Sequence, residues 1–389
     1  MRFKAVHYLM IAMPLVLLLA AMQITTLGGI CGLLALPWAR GEADRIRQNA
    51  AQQPMLFPCL MLLLGAPLLS CLWSVSPPVS LDMWVRVALL FLAGVMLWLS
   101  PLWPRMERTG FTAMAIAFAL AAILPLLLLA MQPYWQQTRW EVPVELFFAM
   151  GIKRGLCGMS VLIWALAAGL YRLRARALAW GLVLLTGMVI GLMHSLSAQL
   201  GFAVGLLTWL GATLLPRGFA RALIVLCPVL IVVGPEVIHY FTHYPFDAAT
   251  FGKLQVLSSG RMLIWQVVPE AGSGRALLGW GMKTTTLLPF TPAQLARIGL
   301  PAAPMHPHCS VLQVWLEMGY AGLVLFAAAV GLVLREVHRR MAGEPVLHAF
   351  ALATVMAYLA AQFSSFSIWQ NWWVVFPWLM LAIWRRLPL

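Results

Sequence analysis

The residues with the clearest chemical potential lie in Met305-His306-Pro307-His308-Cys309-Ser310, at the mouth of a long apolar run. Pro307 stops a helix from running back through it, and Cys309, Ser310 and Gln313 can follow it into a first turn. His308 is therefore expected at a helix N-terminus, at the water edge of a membrane span. Unpaired N–H groups give that end a partial positive charge, which disfavours protonation of a nearby imidazole. A neutral imidazole accepts protons, so His308 is placed as a general base. The plainer alternative is a histidine that only caps the helix or reaches the interface. Cys309 beside it could act as a thiol nucleophile, with a packing role as the simpler reading.

Basic residues in and beside apolar runs form the second chemical set. Arg154 stands at the mouth of a span in Gly151-Ile152-Lys153-Arg154-Gly155, Arg261 opens an apolar helical stripe, and Arg86 falls inside a span. An arginine at membrane depth is costly and is a functional candidate by default. Guanidinium forks match phosphate oxygens two at a time, so Arg154, Arg261 and Arg86 together could hold a pyrophosphate. His306, Arg275 and Lys153 are candidates to line the same cavity. The alternative for these cations, and for Lys283 and Arg297, is reaching out to lipid phosphates. Carboxylates on this side are sparse (Asp82, Glu141, Glu145, Glu236, Asp247 and Glu270) and form no tight pair, so no metal site and no cofactor are expected. His239 and His243 are four apart, which suits a metal on one helix face, but a third ligand is missing. His194 lies near Ser195 and Ser197 and could face the cavity. Glu317 is nine residues beyond His308, about 13 Å deeper along a helix, and is expected to pair within the bundle.

These side chains need a membrane frame to hold them. The 389-residue chain is 62% hydrophobic and 10% charged, far below the charge of a soluble domain, and its apolar runs are continuous. An all-α polytopic membrane protein follows, not a barrel. The net charge of +14 is spread between apolar runs and forms no single patch, which argues against nucleic acid. The six cysteines include no CxxC pair. Ala5 to Trp38 reads as a hairpin of two short helices broken at Gln23–Gly29. Further spans are expected near 55–74, 81–100, 111–131, 154–171, 178–194, 197–215, 222–240, 308–334, 346–363 and 371–385, about twelve helices in all. With both termini in the cytoplasm, 17 Lys and Arg residues fall on the cytoplasmic side and 8 on the other, as the positive-inside rule requires. The chain divides into membrane helices over 1–240, an outside loop with short helices over 241–307, and membrane helices over 308–389. Gln132 to Lys153 is a second long outside segment. In the large loop, Ser258 reads as the N-cap of one short helix and Thr291-Pro292 as the start of another. Trp369, Trp372 and Trp373 read as an interfacial aromatic belt.

The layout, together with His308, Cys309, Leu312, Gln313, Glu317 and Gly319, resembles the bacterial O-antigen ligase and polymerase superfamily. That family's pattern is His-Asn-x-x-Leu-Gln followed by Glu-x-Gly, and Cys309 stands where it has Asn. Ser259-Gly260-Arg261 with Trp265, and Gly279-Trp280-Gly281, are similar to its loop pattern. The resemblance covers the last third of the chain and implies a GT-C-like, metal-independent, inverting glycosyltransferase of the bacterial inner membrane, its site facing the periplasm. The implied donor is a polysaccharide on undecaprenyl pyrophosphate, and the implied acceptor a lipid A-core sugar hydroxyl. His308 would be the base, and Arg154 and Arg261, assisted by Arg86, would hold the departing pyrophosphate. An O-antigen polymerase joining lipid-linked repeat units is the alternative in the same superfamily, followed by a protein oligosaccharyltransferase. A transporter of an anionic lipid-linked glycan is the alternative from another class, but it is expected to show inverted repeats.

Overall fold

The computed structural model describes residues 2–37, 40–100, 106–137, 152–193, 195–258, 260–301 and 303–388. His194, Ser259, Glu141, Glu145 and most of the segment from Gln132 to Lys153 lie outside the described residues. Among those described there are helices and no strand. The chain opens with α1 (Arg2–Leu19), α2 (Ile24–Leu34) and α3 (Arg40–Ala51). A short interrupted rod follows: α4 (Leu56–Leu60), a π-helical turn and α5 (Ala66–Ser70). Next come α6 (Pro77–Leu99), α7 (Arg108–Gln137), α8 (Lys153–Arg172), α9 (Arg176–Leu192), α10 (Leu196–Leu214) and α11 (Pro216–His243). The large loop carries α12 (Ala248–Leu257), α13 (Arg261–Gly272) and α14 (Pro292–Ile298). The chain closes with α15 (Ser310–Met341), α16 (Pro345–Ser364) and α17 (Asn371–Arg385).

Seven of these helices are long and apolar enough to cross a membrane, or eight if the pair Gly41–Ala51 and Leu56–Ser70, bent by 87°, counts as one. The expected twelve are thus not all of spanning length. The hairpin of α1 and α2 forms as expected, but its break at residues 20–23 leaves both arms short, and α9 is also short. The span expected at 55–74 is divided by the π turn, whose Leu64 carbonyl accepts from the Trp84 indole.

The centre of the bundle is α8, buried from Gly155 to Leu170. It packs against α1, α9, α10, α16 and α17. Small residues allow the close approach: a Cβ on Gly155 would meet the Leu18 backbone, and one on Gly201 of α10 would meet Ser160 and the Ala357 carbonyl. One end of the bundle gathers the basic loops. There Arg172 ties α8 to Glu344 before α16, Arg340 reaches the Gln52 carbonyl, and Arg385 and Arg386 reach carbonyls at the end of α6. The histidines of the sequence motif lie at the opposite end, where α8 and α10 begin and α16 finishes.

The loop before α15 is built into that helix. Gly319 interrupts α15 with φ 65° and ψ −168°. A continuous helix would bond the amides of Tyr320 and Ala321 to the carbonyls of Leu316 and Glu317. Instead Trp280 and Gly281 donate to those two carbonyls, while Tyr320 and Ala321 donate to the carbonyls of Ala276 and Leu277. Two helical hydrogen bonds are exchanged for four to the loop. The approach is so close that a Cβ on Gly319 would lie 2.2 Å from the Leu277 backbone, and one on Gly279 2.4 Å from the Glu317 carbonyl carbon. Both glycines have positive φ, which a side chain disfavours. Arg275 stacks on Trp280 and donates to the Trp73 carbonyl, so it serves this clasp.

Two local expectations are corrected. Gly260 with φ 76°, not Ser258, is the cap residue of α13, because the entry turn needs a left-handed backbone; the Ser258 hydroxyl accepts from Met262 one turn in. Trp369, Trp372 and Trp373 are buried and form no exposed belt: the Trp369 indole has an internal acceptor, and the other two stack among aromatic neighbours. Thr291 caps α14 as expected, within a full capping box with Gln294.

Candidate active site

His308 sits between Pro307 and the cap residue Cys309, with φ 54°. A left-handed backbone is uncommon for a residue with a side chain, and here surrounding bonds hold it. The Trp265 indole of α13 donates to the Pro307 carbonyl at 2.8 Å, and the His308 amide donates to His306 Nδ1 at 3.2 Å. The His308 ring bonds through Nδ1 to the Ser365 carbonyl at 2.9 Å. A carbonyl only accepts, so Nδ1 carries the proton and Nε2 of the neutral ring keeps its lone pair. Burial pushes the His308 imidazole below its ordinary pKa; the Ser365 bond works the other way, and Arg261 adds to the depression. Burial, ahead of any effect of the helix end, thus favours the neutral ring. His306, its ring 4.1 Å from that of His308, falls to about 3 through burial and then the charges of His308, Lys283 and Arg261.

Arg261, on the first turn of α13, is half-buried and donates to the Ser364 carbonyl at 2.6 Å and the Ser197 hydroxyl at 3.3 Å. The carbonyl acceptors of Arg261 and His308 are thus consecutive residues, Ser364 and Ser365. Arg154 is half-buried on the first turn of α8 and makes no hydrogen bond or ion pair among the described residues. Cys157, one turn further along α8, is within electrostatic reach of Arg261, which puts this helix end beside the cluster. Lys153 is exposed next to Arg154. Arg86 is exposed on α6 and paired with Asp82 at 2.9 Å. His243 stacks on His239 and lies 3.8 Å from Glu270, which also pairs with Arg297. No three His, Cys, Asp or Glu come together as a metal site among the described residues.

Beneath the histidines is a buried polar network. Gln313 donates to Glu317 and to the Ser367 hydroxyl, both at 3.0 Å, and accepts from the Ile368 amide at 3.1 Å. Glu317 also accepts from the Lys283 amide, the Thr285 hydroxyl and the Trp369 indole. Four donors around one carboxylate complement its ionised form. Glu317 thus pairs within the bundle, as its depth implied. The serines at 364, 365 and 367 and the lysine at 283 were not singled out for the site from sequence. A polar run, Ser364-Ser365-Phe366-Ser367, interrupting apolar sequence was the available signal.

Fold and site together define a multi-pass helical membrane protein with a cluster of histidine and arginine side chains at one end of its bundle. Residues 180–327 match the sequence model of a family described as O-antigen ligase. A Rickettsia felis protein named "Putative polysaccharide ligase" is 24% identical over 311 residues, covering 79% of this chain and 74% of that protein. A Rickettsia bellii protein of the same name is 25% identical over 329 residues, covering 81% of this chain and 76% of that protein. Over residues 180–327 the chain is thus similar to the O-antigen ligase family, and over about four fifths of its length to these ligase-named relatives.

Proposed function

We propose that the chain transfers O-antigen polysaccharide from undecaprenyl pyrophosphate to a sugar hydroxyl of the lipid A core, at the periplasmic face of the bacterial inner membrane. The family match and the relatives support ligase-type glycan transfer. Donor, acceptor, membrane face and residue roles are the proposed part. One observation carries it: a neutral imidazole, with Nδ1 engaged and Nε2 carrying the lone pair, beside a half-buried guanidinium.

The acceptor hydroxyl attacks the anomeric carbon and its proton passes to His308 Nε2. A new glycosidic C–O bond forms as the bond from the anomeric carbon to the pyrophosphate oxygen breaks. The leaving pyrophosphate departs with the electron pair, and attack from the opposite face inverts the anomeric centre. Arg261 and Arg154 meet the charge that grows on that oxygen. Lipid pyrophosphate is a good leaving group, so the step needs no general acid. The nearby carboxylate, Glu317, is already enclosed by four donors, so guanidiniums supply the countercharge. Arg86, occupied by Asp82, is left out of the step.

His308→Ala should lower transfer by about 10²–10⁴-fold while donor binding stays within about threefold of wild type. Purified variant transferring at near wild-type rate rules out the base. Chelator should leave turnover unchanged; strict dependence on added Mg²⁺ or Mn²⁺ would count against the arginine clamp. Offering lipid A core, a lipid-linked repeat unit and a protein acceptor separately decides between ligase, polymerase and oligosaccharyltransferase.

A further inference from the structure

We infer that Gln313 and Glu317 are positioning residues for His308, acting across the bundle through the Ser365–Trp369 turn. The inference rests on His308 as the base and adds how its ring is aimed. The bond that sets the ring is its Nδ1–H to the Ser365 carbonyl. That carbonyl belongs to a turn between α16 and α17 with no helical ladder of its own to fix it. Gln313 fixes the turn from below, bonding Ser367 and the Ile368 amide with the two ends of one side-chain amide. Only one orientation of that amide satisfies these partners, because Ile368 N–H must meet the oxygen and the Glu317 carboxylate the nitrogen. The same Ser367 hydroxyl also accepts from the Trp369 amide, closing the turn on itself.

Glu317 holds Gln313 in that orientation and binds the turn a second time through the Trp369 indole. Its remaining donors are the Lys283 amide and the Thr285 hydroxyl, which come from the large loop. Lys283 has φ 63°, the same left-handed backbone as His308, and its charge is felt by His306. One buried carboxylate therefore ties together three segments beside the motif histidines: the first half of α15, the loop at 283–285 and the turn at 365–369. His308 itself precedes the same half-helix, so ring and acceptor are both referred to the Gln313–Glu317 pair.

The test measures glycan transfer at saturating donor, normalised to the sites that bind undecaprenyl pyrophosphate, so that misfolded molecules are not counted. Gln313→Ala should lower the normalised kcat by about thirtyfold, with donor KM within about threefold. Ser367→Ala, a gentler removal at the far end of the link, should lower kcat by about three- to tenfold. Combining Gln313→Ala with His308→Ala should cost less than about twofold beyond His308→Ala alone, because the residue acts through that ring. Normalised kcat values for Gln313→Ala and Ser367→Ala both within about twofold of wild type overturn the inference. A loss that multiplies undiminished onto His308→Ala also overturns it, since that is how a general structural defect behaves. If His308→Ala itself transfers at wild-type rate, the base falls and this inference with it; loss in His308→Ala beside an unaffected Gln313→Ala sinks the positioning role alone.

Discussion

His308 shows how one bond selects a chemistry. Engaging Nδ1 with the Ser365 carbonyl leaves Nε2 as the only ring atom able to take a proton. Both motif histidines are held below their ordinary pKa first by burial. In the unfolded chain they would protonate near 6.5, so below that pH the unfolded state binds more protons than the folded one. Their contribution to stability is complete above about pH 6.5 and is lost as pH falls, for His306 over a window reaching down to about 3. Melting of the purified protein should therefore drop between about pH 7 and about pH 5, and His306→Gln should flatten that drop. An unchanged slope in that variant would show that other groups carry the pH dependence. The two histidines and Arg261 were legible in the sequence because charge and imidazole are rare in apolar runs. Their acceptors were not: Ser364 and Ser365 act through backbone carbonyls, which every residue has.

The half-helix that opens α15 depends on its cap. Cys309 occupies the cap position with extended backbone and makes no side-chain capping bond. The family pattern has Asn there, and Asn is among the best acceptors for the free amides of a first turn. Cys309 has no comparable oxygen to offer those amides. Cys309→Asn should raise stability by about 0.5–2 kcal/mol, read as a higher Tm; a lower Tm would mean that burying the amide outweighs the cap. The next break is less tolerant. Gly319→Ala adds a Cβ against the Leu277 backbone in a left-handed conformation, and should cost about 3 kcal/mol or more and reduce recovery of folded protein. Helix positions were readable from apolar runs, and the starts of α8, α16 and α17 fall within a residue or two of expectation. The break at Gly319 was not, because its partners lie some forty residues earlier in the loop. Glycine spacing signals that a close approach exists, not what approaches.

For the molecule as a whole, the proposed orientation sets the motif histidines and the basic loops on opposite sides of the bilayer. In a background with its cysteines replaced, Leu300→Cys should react with a membrane-impermeant maleimide from the periplasm, and Gly343→Cys should not. The reverse pattern would turn the protein over and remove the periplasmic assignment. Loop charges are what the proposed orientation rests on, whereas the number of full-length spans was not legible in the sequence, since short paired helices and long single ones have the same apolar content. The stitched break in α15 also bears on biosynthesis. Leaving the translocon alone, that segment is free to close as a continuous helix, with Tyr320 and Ala321 bonded to Leu316 and Glu317, so that no backbone group is left bare to lipid. In the proposed orientation residues 276–281 leave the ribosome first and lie on the periplasmic side. Seating of that loop against the segment then exchanges two helical bonds for four and opens the break at Gly319 in one event.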